Sequence, residues 1–456
     1  MSNAAGKADK QEQSILEPME NKEQGWVFLN GNVATEVDLV KMFSPQMLNP
    51  QHPDPEINQS RKVLLVTAAF HKGHEHHDRH LIEMFERLGI DAKWKNSFPT
   101  NIQNLSVYSM FSEFITKEKW LYRRYTEKQD LLKAIKKDYH VKNQDYLDTV
   151  TALTDALEFK HPHLGLFDFY HWNRFDDEDF MMAGLSTRER KTKIKQIEPL
   201  KHSAVDMDMC RELSDTVEHL VYKDEEILAL CQNMEAFFLE KSGVWKSALY
   251  QDHREELKQR IINSATCVLF GGRVFVLNNR LRFYRLDEVF QEALRLGTNF
   301  YGISAGAMSL QDRFYLSFPR DFPGGFMRVA DLGIGLVKGL SVFPHANDYL
   351  YIRRAHQDEL SLYTVRHRGR VTVGLNEKTV LLYERYRDPL DDQVYDRYSS
   401  VGDDPVLVFG ERGRIVELNR FDELLLEGTK FYDSLPRMAM RQDICEFEQA
   451  WRKETQ

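Results

Sequence analysis

The stretch Asn299-Phe300-Tyr301-Gly302-Ile303-Ser304-Ala305-Gly306-Ala307 decides how the rest of the chain is read. A short strand signal runs directly into a serine set among Gly302, Ala305 and Gly306. A sharp strand-to-helix turn needs small neighbours in order to close, and it holds its central residue in a strained conformation. That reading predicts that Ser304 projects at the C-terminal edge of a sheet, above a helix start, with the Ala305 amide aimed at a developing oxyanion. Ordinary strand-to-helix turns also use small residues, so the surrounding sequence has to carry the argument further.

Working outward, Thr266-Cys267-Val268-Leu269-Phe270 reads as a buried strand that ends at Gly271-Gly272. A glycine pair there lets backbone N–H groups approach an oxyanion, so the Gly272 amide is the second candidate donor. The following GGRVF lacks both phosphate-loop spacings, which argues against a nucleotide site. Leu286–Leu296 predicts a helix with Gly297 just past its end. Val63–Ala69 is a continuous apolar strand followed by a helical pattern through Leu81, Ile82, Phe85 and Leu88. Downstream, Leu340–Phe343, Val371–Val373 and Val380–Tyr383 read as strands, and Pro405–Phe409 with Arg414–Leu418 as a hairpin.

The alternation of strands and helices predicts an α/β fold, a three-layer α/β/α sandwich on a mostly parallel sheet. Residues 100–245 break the rhythm: they are rich in Lys, Glu, Asp and aromatics, with helical periodicity over Trp120–Ile135 and Val217–Leu239. The expected organisation is therefore a disordered tail (1–25), the start of the α/β domain (26–99), a large helical insertion (100–245), the α/β hydrolase-like core (246–435) and a C-terminal helical tail (436–456). The charged runs Asp176–Asp179 and Thr187–Lys195 read as solvated faces.

Composition narrows the function classes. The chain has 456 residues, 42% hydrophobic and 29% charged, so a sizeable core can form. A net charge of −9 argues against a chain-wide nucleic-acid-binding role. Mean hydropathy is −0.51, with no apolar run long enough for a membrane span. The four cysteines (Cys210, Cys231, Cys267, Cys445) show no metal-finger spacing and read as reduced thiols. The polar N-terminus lacks the apolar segment of a secretory signal, which makes a soluble cytoplasmic protein the expectation.

A nucleophilic serine needs a base, and the base an orienting partner. His345, in Phe343-Pro344-His345-Ala346-Asn347-Asp348, directly follows an apolar segment and should emerge at a strand end. Glu377, in Gly374-Leu375-Asn376-Glu377-Lys378-Thr379, precedes the strand Val380–Tyr383. Each residue alone is unremarkable; with the elbow they give the order Ser, His, Glu.

Five pieces now stand in order: Phe270-Gly271-Gly272, the elbow around Ser304, Leu332-Gly333-Ile334-Gly335-Leu336, Pro344-His345, and the segment around Glu377. In these pieces the chain resembles the dipeptidase E and cyanophycinase family of serine peptidases, over about 63–90 and 265–420. The resemblance implies a class I glutamine amidotransferase-like fold and hydrolysis of small peptides or isopeptides without a cofactor, metal or nucleotide. It implies Ser304 as nucleophile, His345 as base, Glu377 as the orienting acid and the Gly272 and Ala305 amides as oxyanion hole. Asp321 is the alternative acid, since some members carry an aspartate between serine and histidine. Arg273-Val274-Phe275 stand where the family has polar dipeptide-binding residues. Phe343-Pro344 replace the Asp-Gln of cyanophycinase-like members, which brings the chain closer to the dipeptidase E branch and its N-terminal aspartate preference. Arg273, Asn347, Arg353 and Arg354 are the candidate substrate-binding residues.

Two features fall outside that scheme. His71, His74, His76, His77 and His80 lie within ten residues, and two of their pairs are one helical turn apart, so a metal-dependent activity is an alternative. The insertion is the other: a lid, a dimerisation element giving a homodimer, or a surface for a protein partner on a catalytically degenerate scaffold.

Overall fold

In a computed structural model of the chain, the described residues are 24–31, 54–60, 62–68, 102–182, 185–316, 329–346, 362, 364–367, 370–387, 394–409, 415–420 and 422–426. Their strands are β1 (Val27–Asn30), β2 (Val63–Val66), β3 (Ile102–Asn104), β4 (Thr266–Leu269), β5 (Asn299–Ile303), β6 (Arg313–Leu316) and β7 (Val329–Leu332). They continue with β8 (Leu340–Pro344), β9 (Val371–Leu375), β10 (Val380–Arg387), β11 (Val394–Ser400), β12 (Val406–Phe409), β13 (Ile415–Leu418) and β14 (Glu423–Leu426). Eight of them form the main sheet, in the order β14-β11-β10-β1-β5-β4-β2-β3. From β1 to β3 every pairing is parallel, and from β1 to β14 every pairing is antiparallel. The fold is α/β, as the sequence predicts.

The parallel half is built from strands that are apolar on both faces. Val27, Phe300, Cys267 and Leu64 lie in register across β1, β5, β4 and β2 and join the main core. Their neighbours Phe28 and Tyr301 point to the opposite face and stack at 6.0 Å, both buried. Helices α5 (Ala248–Ile262), α6 (Val274–Phe283) and α7 (Leu286–Arg295) supply Leu257, Ile261, Leu277, Leu281, Val289 and Phe290 to that same core. Gly297 lies beyond the end of α7 at φ 99°, as expected, and acidic Asp287 and Glu288 occupy its first turn.

The region expected to be wholly helical holds two pieces of the α/β core. Ile102–Asn104 is the edge strand β3, too short for its alternation to be legible in the sequence. Helix α1 (Val107–Lys117) buries Val107, Met110, Phe111 and Phe114 in the main core. Two long helices follow, α2 (Lys119–Lys160, 42 residues) and α4 (Ala204–Ser242, 39 residues), with α3 (Thr187–Lys201) between them. At about 1.5 Å per residue the longer one runs roughly 60 Å. Contacts of Lys128 with Glu235, Tyr139 with Asp224 and Lys160 with Asp206 make α2 and α4 antiparallel. Leu147, Val150, Leu157, Cys210, Leu213 and Leu220 build a second apolar core with Phe167, Phe169 and Met181. Arg188, Lys191 and Lys195 on α3 are exposed, in keeping with a solvated face.

A smaller sheet, β13-β12-β9-β8, carries the remaining strands of interest, with β8 and β9 parallel. Its hairpin partners β12 and β13 pair antiparallel, Phe409 opposite Ile415, at the place the sequence predicts. Cys210, Cys231 and Cys267 are buried free thiols, and Cys445 lies outside the described residues. No described helix is long and apolar enough to cross a membrane.

Candidate active site

Ser304 caps the start of helix α8 (Ala305–Leu310) directly after β5. Its backbone sits at φ 52°, ψ −111°, a region that non-glycine residues occupy only under strain. The strain is held from both sides. The Ser304 amide donates to the Asn30 carbonyl at the end of β1 (2.9 Å), and its carbonyl accepts from Met308 (3.1 Å). The small residues around it are required by packing. A Cβ on Gly302 would lie 2.7 Å from the Ala307 nitrogen, and one on Gly306 would lie 2.2 Å from the Leu269 oxygen.

His345 follows the last residue of β8, also at positive φ (59°). Its Nε2 is 2.8 Å from Ser304 Oγ, a hydrogen bond across 41 residues. Both side chains are half-buried, within reach of solvent. Phe343 and Ala346, which flank Pro344-His345 in sequence, share a buried apolar cluster with Leu132 and Tyr139 of α2 and Ile227, Leu228 and Cys231 of α4. The inserted helices therefore pack on the segment that carries His345.

Gly271 presses on the serine, since a Cβ there would stand 3.1 Å from Ser304 Cβ. Gly272 adopts φ 128°, a conformation that favours glycine, and Ala305 is the first helical residue, whose amide has no partner one turn back. Arg273 is exposed at the start of α6.

Glu377 lies at the same sheet edge. Parallel pairing puts Pro344 opposite Leu375, so His345 and Glu377 leave neighbouring strands in the same direction. Glu377 is exposed. Asp321, Asn347, Arg353 and Arg354 lie outside the described residues, as do His71, His74, His76, His77 and His80. Among the described residues no group of three His, Cys, Asp or Glu side chains is arranged to hold a metal ion.

A buried polar network that sequence reasoning missed reaches β8 through Ser341. The Arg366 guanidinium donates to both carboxylate oxygens of Asp224 at 2.5 Å, and Tyr139 donates to the same carboxylate. His367 stacks on Tyr315 at 3.6 Å, and its Nδ1 is 3.2 Å from the Ser341 hydroxyl on β8. Burial, then the charges of Arg366, Arg370 and Arg313, hold its pKa well below the usual imidazole value. Lys136 of α2 meets Asp331 of β7 at 2.5 Å. Asn30 was missed as well; a single polar residue at a strand end gives no periodic signal.

Comparison with known proteins points the same way as the motifs. No curated protein matches the sequence significantly. A solved structure described as a peptidase from an acI-B1 Actinobacterium aligns over 90% of this chain and 100% of its own. At 12% identity and a TM-score of 0.39, that likeness is too loose to carry an argument. The family model of Peptidase family S51 matches residues 228–385. Gly272, Ser304, His345 and Glu377 all fall within the segment that is similar to Peptidase family S51.

Proposed function

We propose that the protein is a serine-type hydrolase that cleaves a small peptide or amide through Ser304, His345 and Glu377. The observation that carries this reading is the strained Ser304 with its hydroxyl 2.8 Å from His345 Nε2. With Nε2 unprotonated, the imidazole accepts the hydroxyl proton as Oγ bonds to the substrate carbonyl carbon. The carbonyl π electrons move onto oxygen, and the Gly272 and Ala305 amides receive that charge. Collapse of the tetrahedral intermediate breaks the C–N bond, and the imidazolium returns the proton to the departing amine. Water then attacks the acyl ester with the same base, releasing the acid and restoring the serine.

Glu377 is the orienting acid in this scheme, holding the other ring nitrogen and favouring the imidazolium that forms. Exposed Arg273, next to Gly272, is suited to a substrate carboxylate, which fits an acidic dipeptide. The test is a panel of short peptides, aspartyl dipeptides included, incubated with wild type and Ser304→Ala and followed by amine release. The reading expects cleavage that Ser304→Ala abolishes; cleavage that survives the substitution contradicts it.

A further inference from the structure

We propose that Asn30 is a positioning residue that fixes the nucleophile elbow relative to the turn carrying Glu377, an inference that rests on the serine-hydrolase reading. Asn30 ends β1, wedged between the two elements it would join. In register it faces Ile303 of β5 on one side and Val380 of β10 on the other. It is fully buried, at 0% exposure. Its carbonyl accepts the Ser304 amide at 2.9 Å. Its side-chain Nδ2 donates to the Thr379 carbonyl at 2.7 Å. Thr379 in turn closes the turn, with Oγ1 donating to the Asn376 carbonyl at 2.8 Å, next to Glu377.

The following residue tightens the seat. A Cβ on Gly31 would come within 2.2 Å of the Leu375 oxygen and 2.5 Å of the Asn376 oxygen, so the end of β1 abuts the backbone that leads into Glu377. One residue thus holds the serine by its main chain and the acid's turn by its side chain. A variant at position 30 retains the main-chain acceptor for Ser304 and loses the side-chain donor to Thr379. Misplacing catalytic groups by about 1 Å can cost roughly a hundredfold in rate, so this contact bears on the acid–base geometry.

The experiment is the labelling kinetics of a fluorophosphonate probe on the full chain, resolved into KI and kinact. It compares wild type, Ser304→Ala, Asn30→Ala, Asn30→Asp, Glu377→Gln and Asn30→Ala/Glu377→Gln. Asn30→Asp keeps the shape of the side chain while removing the donor, and so guards against a simple packing defect. The expected result is a kinact lowered about tenfold or more in both Asn30 variants with KI unchanged. The double variant should then be no slower than the slower single one by more than about twofold. A merely structural role would lower the labelled fraction and leave kinact alone. Wild-type kinact in the Asn30 variants, or losses that multiply in the double variant, overturns this inference while leaving the serine reading intact. An unlabelled wild type, or label retained by Ser304→Ala, overturns the serine reading and this inference with it.

Discussion

Ser304 Oγ and His345 Nε2 form a 2.8 Å hydrogen bond although they belong to different sheets. The serine directly follows β5 of the main sheet, and the histidine directly follows β8 of the smaller one. The chemistry is therefore expected where the C-terminal ends of β5 and β8 meet, and both partners are held by backbone at positive φ.

Removing the imidazole should disarm the serine and leave the fold intact. His345→Ala is expected to lower peptide turnover by about a thousandfold or more, near the effect of Ser304→Ala, because groups acting as one unit lose function together. The double variant should be no worse than either single one. Steady-state rates with circular dichroism as a folding control provide the check.

The elbow glycines should divide into structural and functional positions. Gly302→Ala and Gly306→Ala drive a Cβ into backbone atoms, at 2.7 and 2.2 Å, and should destabilise by roughly 1–3 kcal/mol or prevent folding. Gly271→Ala meets Ser304 Cβ at 3.1 Å and should fold while losing activity. Denaturant melts set beside labelling rates distinguish the two outcomes.

The buried Arg366–Asp224 pair ties α4 to the segment around Arg366, with the two side chains 0% and 3% exposed. Deleting one partner strands the other charge, so Asp224→Asn or Arg366→Leu should cost about 3–5 kcal/mol. Replacing both with apolar side chains should cost less than either single change. Chemical denaturation of the three variants measures this directly.

His367 should make stability fall on acidification. Its folded pKa lies well below the ordinary 6.5, first through burial and then through neighbouring arginines. The unfolded chain therefore binds the proton that the folded one refuses. The stabilisation is fully present above about pH 6.5 and erodes below it, by up to about 1.4 kcal/mol per pH unit, until the folded pKa is reached. Denaturant melts between pH 7.5 and 5 should show this slope, reduced in His367→Phe.

Local signals made part of this legible in the sequence. The elbow announces itself because a closed turn admits only small residues around Ser304, and α7 because Gly297 stands just past its end. Long-range arrangements were illegible. Nothing in Val371–Leu375 says that β9 pairs with β8 outside the main sheet, and three residues at Ile102–Asn104 are too few to show alternation. Arg366 and Asp224 are 142 positions apart, and neither gives a sign of the other until the helices pack. Asn30 reads as the polar end of a short strand, and its contacts with Ser304 and Thr379 exist only once β1 lies between β5 and β10.

The most direct measurement is mass-spectrometric mapping of a fluorophosphonate adduct on the intact chain. The account predicts a single adduct on the peptide containing Ser304, absent in Ser304→Ala and strongly slowed in His345→Ala. An adduct on another residue, or one formed at an undiminished rate without His345, would contradict it.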